Sequence, residues 1–111
     1  MSTNHQNPYA GFTYQLFIGG VPQAGFSQAQ MQAGTINFAH GLSTSLAFHE
    51  WLHNSLPAKS IPQTIEMTIY AEDGEEVSTW QIEECLPARV RTSEAAIELL
   101  SCKHAGFTQL S

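Results

Sequence analysis

The sequence predicts a mainly β protein, a small antiparallel β-barrel or sandwich with one short α-helix. Three observations support this fold class. Several segments alternate apolar and polar side chains with the period of two that a half-buried strand requires. Turn signals join these segments as hairpins, which indicates antiparallel pairing. Only one segment has helical spacing, and it lies near the middle of the chain.

The chain is long enough for one domain. It has 111 residues, of which 42% are hydrophobic, and this is sufficient for a single core. Residues 1–111 are therefore expected to form one domain, with an N-terminal arm over residues 1–11 and a C-terminal tail over residues 105–111.

Seven short strands are expected, separated by residues typical of turns. Gly19-Gly20 can adopt the positive φ values of a tight hairpin turn, and Glu72-Asp73-Gly74 is a second turn signal. Pro87 is expected to interrupt the chain between the fifth and sixth strands, since proline cannot donate a ladder hydrogen bond. The predicted strands are residues 12–18, 21–30, 35–40, 64–70, 77–84, 88–91 and 95–104.

One helix is expected, from an N-cap at Ser43 to about Asn54. Phe48, Trp51 and Leu52 recur at helical spacing, so the helix should bury one apolar face.

The charges are few and unevenly distributed. Four Lys and Arg against ten Asp and Glu give a net charge of −6. The sequence therefore lacks the clustered basic residues that bind nucleic-acid phosphates. All of these charges lie between Glu50 and Lys103, so the first 49 residues carry none. Monomers normally spread both signs over their surface to prevent association. The neutral half therefore indicates burial against neighbouring copies; the alternative is that Ser, Gln and Asn alone keep it hydrated.

Membrane and disulfide-rich classes are disfavoured. No apolar run approaches the length of a membrane span, and the N-terminus lacks the pattern of a signal peptide. The protein is expected to be cytoplasmic at synthesis and to contact no membrane. Cys85 and Cys102 are too few for a disulfide framework and lie in apolar-patterned segments, so two buried thiols are predicted.

One short motif suggests catalysis. His49-Glu50-Trp51-Leu52-His53 matches H-E-x-x-H, in which two histidines on one helix face hold zinc and the glutamate acts as general base. A catalytic zinc needs a third protein ligand, and no further ligand motif follows. An amphipathic helix whose polar face includes His49 and His53 is the preferred interpretation, so these are weak metal candidates only.

No other catalytic or cofactor motif stands out. The sequence has no G-x-S-x-G elbow, no G-x-G-x-x-G loop and no phosphate-binding loop. The expectation is a protein that is not an enzyme and that has neither cofactor nor metal.

The order of these features resembles the tail tube proteins of contractile bacteriophages, a family that includes the tube proteins of phage-tail-like injection systems. The likeness covers roughly residues 14–107. It rests on the ordered positions Ala24, Gly25, Phe26, Ser27, Gly41, Trp51, Gly74, Trp80, Pro87 and Glu98.

The resemblance implies a structural role. Members of that family fold as a small β-barrel flanked by a helix, and they form six-fold rings that stack into a hollow tube. The implied partners are further copies of the chain, with sheath and baseplate proteins, in a virion tail or injection particle. DNA or protein cargo would pass without specific binding.

The same resemblance assigns the first three strands to the contacts between subunits and to the channel lining. A channel surface without Lys or Arg is expected to let polyanionic cargo slide, because attraction to phosphate retards passage. The candidate interface or lumen residues are Phe17, Gln28, Gln30, Gln32 and Asn37.

Two departures from the family pattern leave alternatives open. The segment from Gln28 to Gly34 is short where relatives have a long charged hairpin, and Ala39-His40-Gly41 stands where relatives often have Lys-Arg-Gly. The alternatives are a tube-like adaptor near the baseplate, a small module that pairs with a different tail protein, and the zinc hydrolase.

Overall fold

The chain folds into a closed antiparallel sheet, which confirms the predicted mainly β class with one short helix. This is a computed structural model that describes residues 8–54 and 61–111. The elements are β1 (Tyr14–Ile18), β2 (Val21–Gln32), β3 (Thr35–Leu42), α1 (Leu46–Asn54), β4 (Gln63–Tyr70), β5 (Glu76–Ser93), β6 (Ala96–Lys103) and β7 (Gly106–Gln109).

Closure of the sheet depends on the long strand β5. Neighbouring strands pair in the order β1, β2, β3, β6, β5 and β4, and β4 pairs again with β1. β5 is 18 residues long, so it can pair with β4 along one part of its length and with β6 along another. Residues 76–85 pair with β4, and residues 86–93 pair with β6.

Two strand predictions were wrong, both near β5. Pro87 does not interrupt the chain, because β5 continues through it with a register irregularity between Pro87 and Arg89, and proline is tolerated at such sites on an edge. The segment expected as a C-terminal tail contains β7, which pairs with β5. The Phe107 ring stacks on Trp80 at 4.5 Å between centroids, and this contact holds β7 against the sheet.

The core lies inside the closed sheet and is capped by α1. Phe26 and Phe38 are fully buried and stack at 4.9 Å between ring centroids. Phe48 and Leu52 of α1 are also fully buried, which confirms the predicted apolar helix face. The core residues are Leu16, Ala24, Phe26, Ile36, Phe38, Phe48, Leu52, Ile65, Met67, Ile82, Cys85, Ile97, Leu100 and Cys102.

The helix begins two residues later than the predicted cap implies. Ser45 is the N-cap, since its hydroxyl accepts a hydrogen bond from the Phe48 N–H at 3.1 Å. Ser43 is buried and donates its hydroxyl to the Gln23 carbonyl at 2.5 Å. The prediction of a cap at Ser43 was wrong, because the Ser43 hydroxyl accepts from the Ser45 N–H at 3.2 Å, one residue before α1 begins, and not from an N–H of the helix.

The two cysteines are buried free thiols, as predicted. A hydrogen bond with the Cys85 thiol raises the pKa of Cys102 well above its usual value, and burial raises it further. In the part of the chain that the structure describes, no helix combines the length and apolar character needed to cross a bilayer.

A candidate self-assembly surface

Half of the closed sheet forms a unit that we call the four-stranded layer. It consists of Ser27–Gln32 of β2, all of β3, all of β6, and Leu86–Ser93 of β5, side by side in that order. Its inner face carries Ile36, Phe38 and Leu100 into the core. Its outer face points away from the core, and the side chains of Gln28, Gln30 and Gln32 on it are exposed.

Three rows of side chains cross this outer face. In the middle row the Ser101 hydroxyl donates to the Asn37 side-chain oxygen at 2.6 Å, which links β3 to β6. The rows, read from β2 to β5 through the strand register, are Gln30, Asn37, Ser101 and Arg89; Gln28, Ala39, Leu99 and Arg91; and Gln32, Thr35, Lys103 and Leu86.

The structure brings four of the five candidate interface residues together. Gln28, Gln30, Gln32 and Asn37 all lie in these rows. Phe17 does not join them, because it lies on β1, between Pro22 of β2 and Glu66 of β4. Its ring is half-buried there.

Three cations on this face were missed by the sequence argument. Arg89, Arg91 and Lys103 are exposed. The two arginines end their rows on β5, whereas Lys103 lies on β6 and is followed by Leu86 of β5 in its row. The expected absence of Lys and Arg is therefore wrong for this face, because β5 and β6 bring charges from the second half of the chain. The signal available in the sequence was the spacing of Arg89 and Arg91, which places both on one face of a strand.

The acidic residues are mostly elsewhere. Of the ten Asp and Glu residues in the chain, only Glu98 lies beside the rows, and its Oε1 is 3.9 Å from Arg91 Nη1. Both side chains are more than half exposed, so the ion pair is worth little. The outer face is thus neutral along β2 and β3 and basic along β5 and β6.

Among the described residues, both outer strands of the four-stranded layer have an edge that no other strand pairs with, called here a free edge. β1 starts at Tyr14, which pairs with Phe26, so Ser27–Gln32 of β2 extend beyond it. The ladder between β4 and β5 stops at Cys85, so Leu86–Ser93 extend beyond β4. Within residues 8–54 and 61–111, no strand pairs with either edge.

The two free edges differ in how they are protected. The β5 edge carries Pro87, Arg89 and Arg91, and charge and proline are the devices by which proteins discourage edge-to-edge pairing. The β2 edge, Ser27–Gln32, has neither charge nor proline. Its unpaired N–H and C=O groups therefore form an unprotected template for another strand.

An apolar slot of about 220 Å³ opens beside the β2 edge. Ala29 and Met31 form its wall on the β2 side, and the Met31 side chain is 38% exposed. The slot is lined by Tyr14, Ala29, Met31, Ile36, Met67, Ile69, Trp80 and Phe107. Apolar surface therefore accompanies the unpaired backbone at this edge.

Four of the ten ordered positions that carry the family resemblance lie in β2 and have structural roles there. Ala24 and Phe26 are in the core, and Gly25 lies under the Phe12 ring, where an added Cβ would be 2.6 Å from Phe12 Cδ2. The Ser27 hydroxyl donates to the His40 carbonyl at 3.1 Å and so links β2 to β3.

Five of the six remaining positions, all except Gly41, lie in α1, in a turn or in the strands β5 and β6. The Trp51 indole N–H donates to the Ile61 carbonyl at 2.8 Å, and the Trp80 indole N–H donates to the Ser78 hydroxyl at 3.1 Å. Gly74 has a φ of 87° in the turn before β5. Pro87 and Glu98 belong to the four-stranded layer.

Within residues 8–54 and 61–111, the H-E-x-x-H segment gains no third ligand. The His49 Nε2 atom is 2.8 Å from the Ser43 carbonyl, so that nitrogen donates to the backbone. The His49 and His53 rings stack at 6.5 Å between centroids. Among the described residues, no group of three or more His, Cys, Asp or Glu side chains could hold a metal ion.

Neither a protein-family model nor a curated protein matches the chain.

Proposed function

We propose that this chain is a structural subunit that self-assembles into stacked rings, forming the inner tube of a phage tail or phage-tail-like contractile injection particle. The tube would be a conduit for DNA or protein cargo. The observation that carries the proposal is the unprotected edge of β2, Ser27–Gln32.

The backbone at this edge favours association. A strand with a free edge exposes a row of N–H and C=O groups, and pairing with another chain satisfies them. The neighbouring slot adds apolar surface, lined in part by Met31 and Trp80, whose burial stabilises a contact at about 25 cal/mol per Å². Both contributions favour another strand as the partner rather than a small ligand.

The composition of the edge points to further copies as that partner. Residues 1–49 carry no formal charge, so identical copies can approach through this half without repulsion between like charges. The alternative is that Ser, Gln and Asn alone keep the neutral half hydrated. That interpretation gives the free edge of β2 no function. The resemblance to tail tube proteins, carried by positions such as Gly25 and Gly41, favours the same conclusion.

Partners beyond the chain itself follow from that resemblance. Sheath and baseplate proteins would contact the outside of the tube, and cargo would pass inside it. No catalytic role is proposed for His49, Glu50 or His53.

Sedimentation velocity over a wide range of concentration tests the proposal, together with negative-stain electron microscopy. The wild-type chain is expected to form rings or tubes. The double variant Gln28→Lys/Gln30→Lys should remain largely monomeric, because lysines protect an edge strand from pairing. Thr64→Lys, at an exposed position of β4, is the matched control and should assemble like the wild type.

Two outcomes would contradict the proposal. Wild-type protein that stays monomeric at high concentration, with no ring or fibre in micrographs, would rule out self-assembly. Assembly only after a different tail protein is added would instead favour the adaptor or the small binding module.

A further inference from the structure

We propose that Cys85 of β5 and Cys102 of β6 form a redox modification site, at which a peroxide converts the two free thiols into a disulfide within one chain. This inference goes beyond the proposed function, because it concerns the chemistry of a single copy and does not require assembly. Both thiols are free and fully buried in the core. Buried cysteines are commonly inert, but three features of the surroundings distinguish this pair.

The first feature is that the two thiols are in contact. Leu86 is the register partner of Lys103, and Pro87 is that of Cys102, so Cys85 lies diagonally across the strand pair from Cys102. Both side chains belong to the same core cluster, and the two thiols are joined by a hydrogen bond. Diagonal neighbours on paired strands are about 7–8 Å apart, so a disulfide requires the two strands to approach by about 1 Å.

The second feature is an irregular backbone around Cys85, which permits this approach. Glu84 has a φ of 51°, a left-handed conformation that costs a residue with a Cβ atom energy. The ladder with β4 shifts register next to Gln63, the partner of Cys85, and the ladder with β6 shifts just after Pro87. Bulged strands bend at such places, so Cys85 is not held in position by regular pairing on both sides.

The third feature is a histidine at a neighbouring register position. His104 follows Cys102 by two residues. The Ala105 N–H donates to the Glu83 carbonyl at 2.8 Å, and this continued pairing places His104 opposite Cys85. Within residues 8–54 and 61–111, both ring nitrogens are shielded from solvent and have no hydrogen-bond partner. One nitrogen of an uncharged imidazole accepts a proton, so His104 can take up the proton of a thiol and leave a thiolate, the form that attacks an oxidant.

The reaction balances with one molecule of peroxide. The Cys85 thiolate attacks one peroxide oxygen, and the O–O bond breaks to give a sulfenic acid and a hydroxide ion, which takes the proton from His104 and leaves as water. The Cys102 sulfur then attacks the Cys85 sulfur, the S–S bond forms, and the hydroxyl leaves with the Cys102 proton as a second water. Two thiols lose two electrons, and the peroxide gains them.

The order of attack follows from the environment of the two sulfurs. The hydrogen bond with Cys85, with burial, raises the pKa of Cys102, so the Cys102 thiol stays protonated as the donor. Cys85 is therefore the sulfur that attacks the peroxide, and Cys102 completes the disulfide.

A small oxidant has a short path to this site. Glu84, Lys103 and Ala105 are exposed, and each is the chain neighbour of one of the three reacting residues. β6 ends at Lys103 and β7 begins at Gly106, so the site lies beside a break between two strands. Local opening at such a break admits a molecule as small as hydrogen peroxide without unfolding of the whole domain.

Hydrogen peroxide added to the fully reduced chain tests the site. Alkylation of the remaining thiols in urea, followed by intact mass measurement, is expected to show that both thiols are lost together with two hydrogen atoms. Non-reducing gels should show no dimer. The oxidised chain should unfold at a higher urea concentration than the reduced chain, because a cross-link constrains the unfolded state, and a reductant should reverse this shift.

Two variants separate the roles of the residues, with thermal melts to verify that each folds. Cys102→Ser should stop at a sulfenic acid on Cys85, which dimedone traps, and oxidation should not shift its unfolding midpoint. His104→Asn should lose its thiols at least about tenfold more slowly than the wild type when folded, and at the wild-type rate in urea. A variant that was merely loosened would react faster, so a slower reaction identifies a chemical role.

Several results would overturn the proposal. Thiols that react only after unfolding in urea, dimers joined between chains, or separate oxidation of each cysteine to the sulfinic acid would each rule out the site. An unchanged rate in folded His104→Asn would remove the histidine from the reaction. None of these results bears on assembly, so the proposed function would stand, and a wild-type chain that never associates would leave the thiol chemistry as described.

Discussion

Phe26 of β2 occupies the space above Gly41 of β3. The two residues are register partners, and a Cβ on residue 41 would lie 2.2 Å from Phe26 Cδ1 and 2.5 Å from the Gly25 carbonyl oxygen. The missing side chain lets the Phe26 ring lie flat enough to stack on Phe38. The glycine at this motif position is therefore a packing requirement of the closed sheet.

Gly41→Ala is expected to lower the free energy of unfolding by about 2 kcal/mol, since a side chain forced into a packed core displaces its neighbours. Urea denaturation measures the change. Gly106→Ala is the matched control: the nearest atom to its added Cβ is Glu83 Oε1 at 3.2 Å, the end of a flexible side chain. The control should change stability by less than about 0.5 kcal/mol, and equal losses in both variants would contradict the packing argument.

Phe107→Ala is expected to release β7 from the sheet. The ring of Phe107 is nearly parallel to that of Trp80, with an angle of 9° between the planes, and such aromatic pairs are worth about 0.5–1.5 kcal/mol beyond burial. The variant should lose about 2 kcal/mol of stability, and Trp80 emission should shift to longer wavelength. Thr108→Ala, whose side chain is exposed, should change neither quantity. An unchanged emission maximum in Phe107→Ala would contradict the role of this stack.

Stability is expected to fall above about pH 9 through Cys102. In the folded protein the hydrogen bond with Cys85 and burial raise the pKa of Cys102 above its usual 9.0, so the folded state keeps a proton that the unfolded state loses. The free energy of unfolding should therefore decrease with pH above 9, by at most about 1.4 kcal/mol per pH unit, and should not depend on this thiol below about pH 8.

The check is the slope of unfolding free energy against pH in the wild type and in Cys102→Ala. The slope above pH 9 should be smaller in the variant. Burial also raises the pKa of Tyr70, with a further contribution from Glu76, so the same comparison in a Tyr70→Phe background removes the tyrosine contribution. Identical slopes with and without Cys102 would show that the thiol does not contribute.

His49→Ala is expected to cost about 1 kcal/mol, the usual worth of a hydrogen bond such as that between His49 Nε2 and the Ser43 carbonyl. His53→Ala should change stability by less than about 0.5 kcal/mol, because that side chain is exposed. Thermal or urea unfolding measures both variants. Stoichiometric zinc in protein purified without added metal, lost from both variants, would instead favour the hydrolase.

Local sequence patterns predicted most of the individual elements. Alternation predicted the first strands, and helical spacing predicted the buried face of α1 with Phe48 and Leu52. Gly74 correctly marked a hairpin turn, since its positive φ is one that glycine adopts without strain. These predictions succeeded because turn chemistry and periodicity depend on residues close together in the chain.

Predictions that required distant contacts failed or could not be made. Pro87 was expected to end a strand, but pairing with β6 carries β5 through it. The segment expected as a C-terminal tail contains β7, because the Phe107 ring stacks on that of Trp80, 27 residues earlier in the chain. Ser45 rather than Ser43 is the N-cap, and the Ser43 hydroxyl donates to the Gln23 carbonyl of β2. Each of these outcomes depends on a partner from another part of the sheet.

The candidate surface shows the same division. The sequence alone shows that the first half of the chain is neutral and that Gln28 and Gln30 alternate within the predicted strand 21–30, with Gln32 beyond its predicted end. Contacts between distant strands extend β2 to Gln32 and place the three glutamines on one face with Arg89, Arg91 and Lys103. Among the described residues they also leave β2 and β5 with edges that no strand pairs with. The physical reason is that strand order and register are set by the packing of the core, which joins residues far apart in sequence, whereas alternation along a strand is set by the geometry of the strand alone.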